Sequence, residues 1–318
     1  MNKQKIIFYG STIFSKIVLE SLINNEDYQI IAVVTQPDKP FGRKRLITPS
    51  IIKVLAQEND IKVLTPVRLN DSFKTELEGL DADLGIVAAY GKILPDFVLD
   101  HPRLKCINIH GSILPVYRGA TPVQCAIRDG LQKTGISIIR MVPEMDAGNI
   151  LATASAKIES TDNVENLMRR LAESGAESLR GLLPKLFSED PIHETVQNAD
   201  QATYCFVKDF SFENGQIDWN RDAKNISNHI RAFSPQPRAW TIYKSKKLFI
   251  LEADFVEDGE INKSKEGEII ESNGELVVEC LIGKLKIKQL QIEGKGIMDY
   301  KSFLNGYKKD LPASLGNI

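Results

Sequence analysis

The chain has 318 residues, with 40 Lys and Arg against 42 Asp and Glu, a formal net charge of −2 and a hydrophobic fraction of 42%. That is long enough for one large or two medium domains with real cores, and it excludes a surface that is basic throughout, so any nucleic-acid contact has to be local. No charged–apolar–cleavable leader stands at the start, and no apolar run approaches the ~20 residues that span a bilayer; the expectation is a cytoplasmic protein with no membrane partner. Cys106, Cys125, Cys205 and Cys280 are far apart with no CxxC pair. They read as reduced, buried thiols, not as a metal site or a disulfide framework.

Lys5 to Tyr9 (KIIFY) predicts a first parallel strand ending at Gly10, and Ser15 to Leu22 predicts a helix from the spacing of Ile17, Val18 and Leu22. Tyr28 to Thr35 predicts the next strand, Ser50 to Asn59 a helix, Ile61 to Leu64 a third strand and Leu84 to Ala89 another. Strands alternating with helices argue a doubly wound, Rossmann-like, mostly parallel sheet. Gly10 is followed by Ser11 and Thr12 with no GxGxxG, which argues against a nicotinamide or flavin dinucleotide, and there is no GxxxxGK[ST].

Between the second strand and the helix lies TQPDKPFGRKRLITPSI, Thr35 to Ile51, with Lys39, Arg43, Lys44 and Arg45 inside seven residues. Such a cluster is either a solvated basic loop or a loop that contacts phosphates. Tyr90 to Pro95 (YGKILP) follows a strand end. Cys106 to His110 predicts a short strand in which Asn108 and His110 point to the same face. Gly111 ends it, and the Gly- and Pro-rich run to Pro122 holds Tyr117 and Arg118. A polar pair opening into such a loop is how an open α/β sheet builds a site.

Gly135 to Met141 predicts a strand leading to Asp146, and Ile150 to Ala156 its partner. Asp162, with Glu165 three residues on, predicts the cap of a long helix whose Val164, Leu167, Met168, Leu171, Ala172, Leu179, Leu182 and Leu186 face a core. Periodicity fails between Phe187 and Tyr204, which reads as a linker. A second unit then opens at IDW, Ile217 to Trp219, with a short helix at about Ala223 to Ala232. Several short strands follow from Thr241 to Ile292, with a turn at Ser272-Asn273-Gly274, and a closing helix from Asp299 to Lys308. That strand density fits a smaller antiparallel barrel of the OB type. The KLKIK run from Lys284 to Lys288 puts a Lys stripe on one strand, which a solvated face and an RNA contact explain equally well.

The run Asn108 to Pro115 with Arg118-Gly119 and Pro122, followed by Met145-Asp146-Ala147-Gly148, resembles the two signatures of the folate-dependent formyltransferases. The resemblance extends to IDW and to FSPQPRAW, Phe233 to Trp240. The basic segment around Arg43 resembles the insertion that sets the tRNA-acting members of that family apart. It implies a catalytic domain over 1–188, a linker over 189–204 and an OB-like tRNA-binding domain over 205–318. It implies Asn108, His110 and Asp146 as catalytic residues. Ser112, Ile113, Leu114 and Pro115, with Tyr90 and Gly91, would bind folate, and Lys39, Arg43, Lys44 and Arg45 would bind tRNA. The donor would be 10-formyltetrahydrofolate and the acceptor the amino group of methionine on initiator methionyl-tRNA, with no metal, in a monomer. Ile113 departs from the usual Leu of the pattern, and Asn149 stands where an acidic residue is common, which bears on a contact near Asp146. An amino-sugar-nucleotide formyltransferase or a folate hydrolase would share the two signatures without the basic insertion. A purine-pathway formyltransferase would leave the C-terminal third unexplained, and a non-catalytic binding module would not need all three polar residues.

The chemistry agrees with the resemblance. An α-amino group has a pKa of about 7.7–8.0, so it is a competent nucleophile near neutrality without a covalent intermediate. The harder task is the oxyanion of the tetrahedral intermediate, for which Asn108 and His110 are donors, and Asp146 can orient His110 or take the amine's proton.

Overall fold

The computed structural model describes residues 3–23, 25–41, 46–188, 191–261 and 266–316. The chain divides into two compact units: Met1–Pro122 with Lys133–Lys157 and Met168–Cys205, and Val123–Gln132 with Ile158–Leu167 and Phe206–Ile318.

The first unit starts with β1 (Gln4–Gly10), α1 (Ile13–Ile23) and β2 (Tyr28–Val34), then a small hairpin of β3 (Lys39–Phe41) and β4 (Leu46–Thr48). It continues with α2 (Ile51–Glu58), β5 (Val63–Leu64), α3 (Asp71–Glu78), β6 (Leu84–Ala88), α4 (Asp96–Leu99) and β7 (Cys106–His110). After β8 (Arg118–Gly119) the chain passes through α5 (Pro122–Arg128), all but its first residue in the second unit, then β9 (Lys133–Arg140), β10 (Ile150–Lys157), α6 (Val164–Ser188), whose part up to Leu167 is also in the second unit, and β11 (Tyr204–Cys205). The main sheet has the order β10-β9-β7-β6-β1-β2-β5. The five strands from β5 to β7 are parallel, and β9 and β10 close the other side antiparallel. The central strands are buried on both faces, as strands covered by crossover helices must be.

Three helices lie outside the sequence expectations: α3 (eight residues), α4 (four) and α5 (seven), of which the last two are too short to show a helical period. The long helix begins as expected but its cap differs. Asn163 and Asn166 exchange backbone-to-side-chain hydrogen bonds across the first turn. Asp162 instead accepts from Glu159 N in the preceding turn, at 2.7 Å, and is 2% exposed. A second amide-bearing side chain at Asn163 was the better cap because it lies one residue nearer the first helical N–H.

The turn from β1 into α1 shows what replaces a glycine fingerprint. Ser15 Oγ accepts from the amides of Ser11 (3.0 Å) and Thr12 (3.1 Å) and donates to Ala88 O (2.6 Å). Two backbone donors of the turn into this helix are thus already engaged by a side chain.

In the second unit, α7 (Ala223–Phe233) precedes β12 (Ala239–Tyr243), β13 (Lys246–Ile261), β14 (Glu268–Ser272), β15 (Glu275–Glu279) and β16 (Ile282–Ile292). β17 (Met298–Asp299), α8 (Tyr300–Tyr307) and β18 (Ala313–Ser314) complete it. The antiparallel sheet runs β12-β13-β16-β15-β14-β18. A bond from Gly316 N to Ile242 O (3.0 Å) joins its last strand back toward its first, so the sheet curls into a nearly closed barrel. Leu285, Ile287, Leu290 and Ile292 point inward, and α7 packs on β13 and β16. The alternate Lys residues of β16 face outward, each against a carboxylate: Lys284 with Glu279 (3.1 Å), Lys286 with Glu275 (2.6 Å), Lys288 with Asp254 (3.1 Å). Cross-strand ion pairing accounts for that stripe. Among the described residues no helix is long and apolar enough to cross a membrane.

Candidate active site

In the main sheet β6 and β7 are parallel neighbours, so the chain leaving each turns out at the same sheet edge. The strand order reverses between β1 and β6, the place where open α/β sheets bind their ligands. The Asn108–His110 pair sits at this edge. The left-handed Tyr117 (φ 59°) and Gly119 (φ 115°) fold the following segment back over it.

Asp146, from the loop between β9 and β10, is where three groups converge. Its Oδ1 accepts from Asn108 Nδ2 at 3.3 Å, and its Oδ2 accepts from the Gly119 amide at 2.8 Å. The same Oδ2 is 3.6 Å from His110 Nδ1. His110 is 5% exposed, and its Nε2 lies 2.8 Å from Tyr117 O. A carbonyl only accepts, so Nε2 carries a proton and Nδ1 is the nitrogen turned to the carboxylate. The Asp146 carboxylate is thus hydrogen-bonded to Asn108 and Gly119, and the His110 ring stands beside it at 3.6 Å, so the two β7 side chains and the β9–β10 loop meet at one place.

The expected folate residues fall into two sets. Ser112 and Leu114 are buried, with Ser112 Oγ donating to Val116 O at 2.5 Å and Leu114 N to Ser137 Oγ at 3.0 Å, while Ile113 is exposed. The carbonyl of Pro115 accepts from Thr203 N at 3.4 Å. The ring of Tyr90 belongs to the apolar core with Ile7, Val34 and Leu94, edge-on to Tyr9 at 6.0 Å, and burial pushes its phenol up to about 12. Only the backbone of Tyr90 reaches the sheet edge, where its carbonyl accepts from Gln36 Nε2 (2.9 Å) and Ser11 Oγ (3.2 Å), beside the left-handed Gly91. Ile93, two residues on, is 90% exposed.

Of the basic residues, Lys39 donates to Gln36 Oε1 at 2.6 Å; Arg43, Lys44 and Arg45 lie outside the described residues. Cys106, two residues before Asn108, is buried and its thiol is pushed up to about 12, so it is not a nucleophile of this site.

The segment after α6 supplies residues that sequence reasoning missed. Thr195 pairs backbone-to-backbone with Ile150 in both directions at 2.9 Å, and β11 pairs with β8. Gln197 donates to Asp146 O and Gly148 O and accepts from Arg118. Glu194 binds Arg140 and Asn149, each at 3.0 Å. Burial raises the Glu194 carboxyl, but the hydrogen bonds from Asn149 and Arg140 outweigh it and hold the group below its ordinary 4.5. No short motif marks these residues, which fall in the stretch after Phe187 that reads as a linker.

A mostly parallel sheet presenting an amide, an imidazole and a carboxylate at one edge has the layout of an acyl-group transferase. Residues 3–183 match the family model described as formyl transferase, and residues 210–308 match that of the formyl transferase C-terminal domain. The chain belongs to the formyl transferase family. It is 40% identical over 310 residues to methionyl-tRNA formyltransferase of Staphylococcus aureus (strain MW2), across 96% of this chain and 97% of that one. The protein of that name from strain JH1 gives the same figures. Among solved structures, an N-formyltransferase from Helicobacter canadensis in complex with folinic acid and dTDP-3-aminofucose aligns with a TM-score of 0.68 at 18% identity, over 90% of this chain and 99% of that one. HypX from Aquifex aeolicus, in complex with tetrahydrofolic acid, aligns with a TM-score of 0.63 at 17% identity, over 97% of this chain and 48% of that one. These last two likenesses show the fold.

Proposed function

We propose that this protein transfers the formyl group of 10-formyltetrahydrofolate to the α-amino group of methionine on initiator methionyl-tRNA, in the cytoplasm and as a monomer. The observation that carries the chemistry is the convergence of Asn108 and His110 on the Asp146 carboxylate. The likeness along 96% of the chain to a methionyl-tRNA formyltransferase supports the acceptor. In this reading residues 1–188 hold the folate and the reacting groups, 189–204 join the domains, and 205–318 with Lys39, Arg43, Lys44 and Arg45 hold the tRNA.

The neutral amine attacks the formyl carbon, forming the new C–N bond and moving the carbonyl π electrons onto oxygen. The Asn108 amide has one N–H on Asp146 and a second to offer that oxygen, and such a donor is worth about 2.7–4 kcal/mol. The proton shed by the amine goes to His110 Nδ1, and Asp146 holds the imidazolium so formed. Collapse then re-forms the carbonyl and breaks the bond to the folate N10 nitrogen, which takes the proton back from the His110 imidazolium and leaves as tetrahydrofolate.

The test is formyl transfer from 10-formyltetrahydrofolate to charged initiator tRNA by the wild type beside His110→Ala. Product from the first and a loss of about a hundredfold or more in the second is the expected result. Tetrahydrofolate release with no formylated tRNA would keep the chemistry and remove the acceptor, and an amino sugar nucleotide offered in the same assay would then be the substrate to try.

A further inference from the structure

We infer that Gln197 is a positioning residue for the reaction: its one side-chain amide locks the Asp146 loop to the Arg118–Gly119 segment and so fixes where the Asp146 carboxylate stands. The inference rests on the functional reading above. Gln197 Nε2 donates to Asp146 O at 2.8 Å and to Gly148 O at 2.7 Å. Its Oε1 accepts from Arg118 Nε at 3.1 Å and Arg118 Nη2 at 2.8 Å. Both partners of the nitrogen are acceptors and both partners of the oxygen are donors, so the amide has one orientation.

The geometry explains why a clamp is needed here. Asp146 sits in the left-handed region (φ 51°), which a non-glycine residue holds only when its surroundings over-determine it. Its carboxylate takes the amide of Gly119, the residue next to Arg118. Gln197 closes that circuit: it grips the backbone of the loop on one side and the neighbour of the carboxylate's own donor on the other. Gln197 touches neither His110 nor Asn108 in any described contact, so its influence runs through Asp146.

The amide is replaced in two ways. Gln197→Met keeps the volume and removes all four hydrogen bonds; Gln197→Glu keeps the acceptor for Arg118 and removes both donors. Each variant is assayed for kcat, for the folate KM and for Tm. Both are expected to stay folded and to lose about ten- to a hundredfold in kcat, the scale set by small misplacements of reacting groups, with the folate KM within about threefold of wild type. An unchanged kcat, an effect confined to KM, or an activity loss that tracks loss of folded protein would overturn the inference. Amide hydrogen exchange at Gly119 reads the clamp without activity: faster exchange in Gln197→Met is expected, and unchanged exchange would overturn it. If the wild type forms no formylated tRNA, the functional reading fails and the exchange measurement still decides the clamp.

Discussion

The Asp146 carboxylate is asked to do two things at once: to accept the amides of Asn108 and Gly119 and to face an imidazole. Its charge and its shape can be separated by substitution. Asp146→Asn keeps the shape but leaves one oxygen, so either the Gly119 amide or the Asn108 amide meets an N–H instead of an acceptor, and the imidazolium loses its counter-charge. A loss in kcat of at least about a hundredfold is expected, with Tm changed by only a few degrees; a loss in Tm alone would show Asp146 to be a turn residue. Tyr90 makes the opposite prediction. Its ring is in the core and its hydroxyl is buried with no hydrogen-bond partner among the described residues. Tyr90→Phe should leave the folate KM unchanged and stability equal or higher, because nothing is lost but a desolvated hydroxyl. A severalfold rise in KM would put the phenol in the folate site. The family resemblance brought Tyr90 forward, in a loop that follows a strand end; a resemblance in sequence does not say which way a side chain points once the strand has stopped.

At the scale of elements, the site depends on backbones approaching more closely than side chains allow. A Cβ on Gly148 would stand 1.8 Å from Arg140 O, and one on Gly119 would stand 2.1 Å from Cys205 O. Gly148→Ala must therefore push the Asp146 loop off β9, and a kcat loss of about a hundredfold with about 1–3 kcal/mol of destabilisation is expected by activity assay and thermal unfolding. The base of that loop is tied by Arg140, Glu194 and Asn149. This answers the departure at Asn149: Glu194, from the segment after α6, supplies the carboxylate beside Arg140, and Asn149 becomes a donor to it. Because the Glu194 carboxyl is held below its ordinary value, its contribution to stability is complete above pH 4.5 and is lost as pH falls through the lower folded value. The Tm difference between wild type and Glu194→Gln should be constant near neutrality and close in acid; a gap that persists in acid would mean the charge is not what stabilises. The strands and long helices were legible because period and apolar runs carry them, and Asn108, His110 and Asp146 because they stand inside spaced signatures. Thr195, Gln197 and Thr203 were not, because a segment that pairs with two distant loops needs no period of its own and reads as a linker.

At the scale of the whole molecule, a net charge of −2 means that a polyanionic acceptor is not drawn in by the protein's total field. The cations that meet phosphates must be few and concentrated. The Lys stripe of β16 is already matched by carboxylates, and Lys39 donates to Gln36. That leaves the Arg43-Lys44-Arg45 run as the densest basic feature of the sequence to carry phosphate contacts. Each phosphate contact contributes about −0.7 to −0.9 to the slope of log affinity against log salt. Replacing Arg43, Lys44 and Arg45 together by Ala should therefore flatten that slope, read from the tRNA KM across a salt series, by about 2–3, and Arg43→Ala alone by about 1. In the proposed reading the folate KM is set by the β6 and β7 loops and should not move in either variant. A triple variant that weakens tRNA use with the slope unchanged would assign the segment to shape recognition instead, and an unchanged tRNA KM would return it to an ordinary solvated loop.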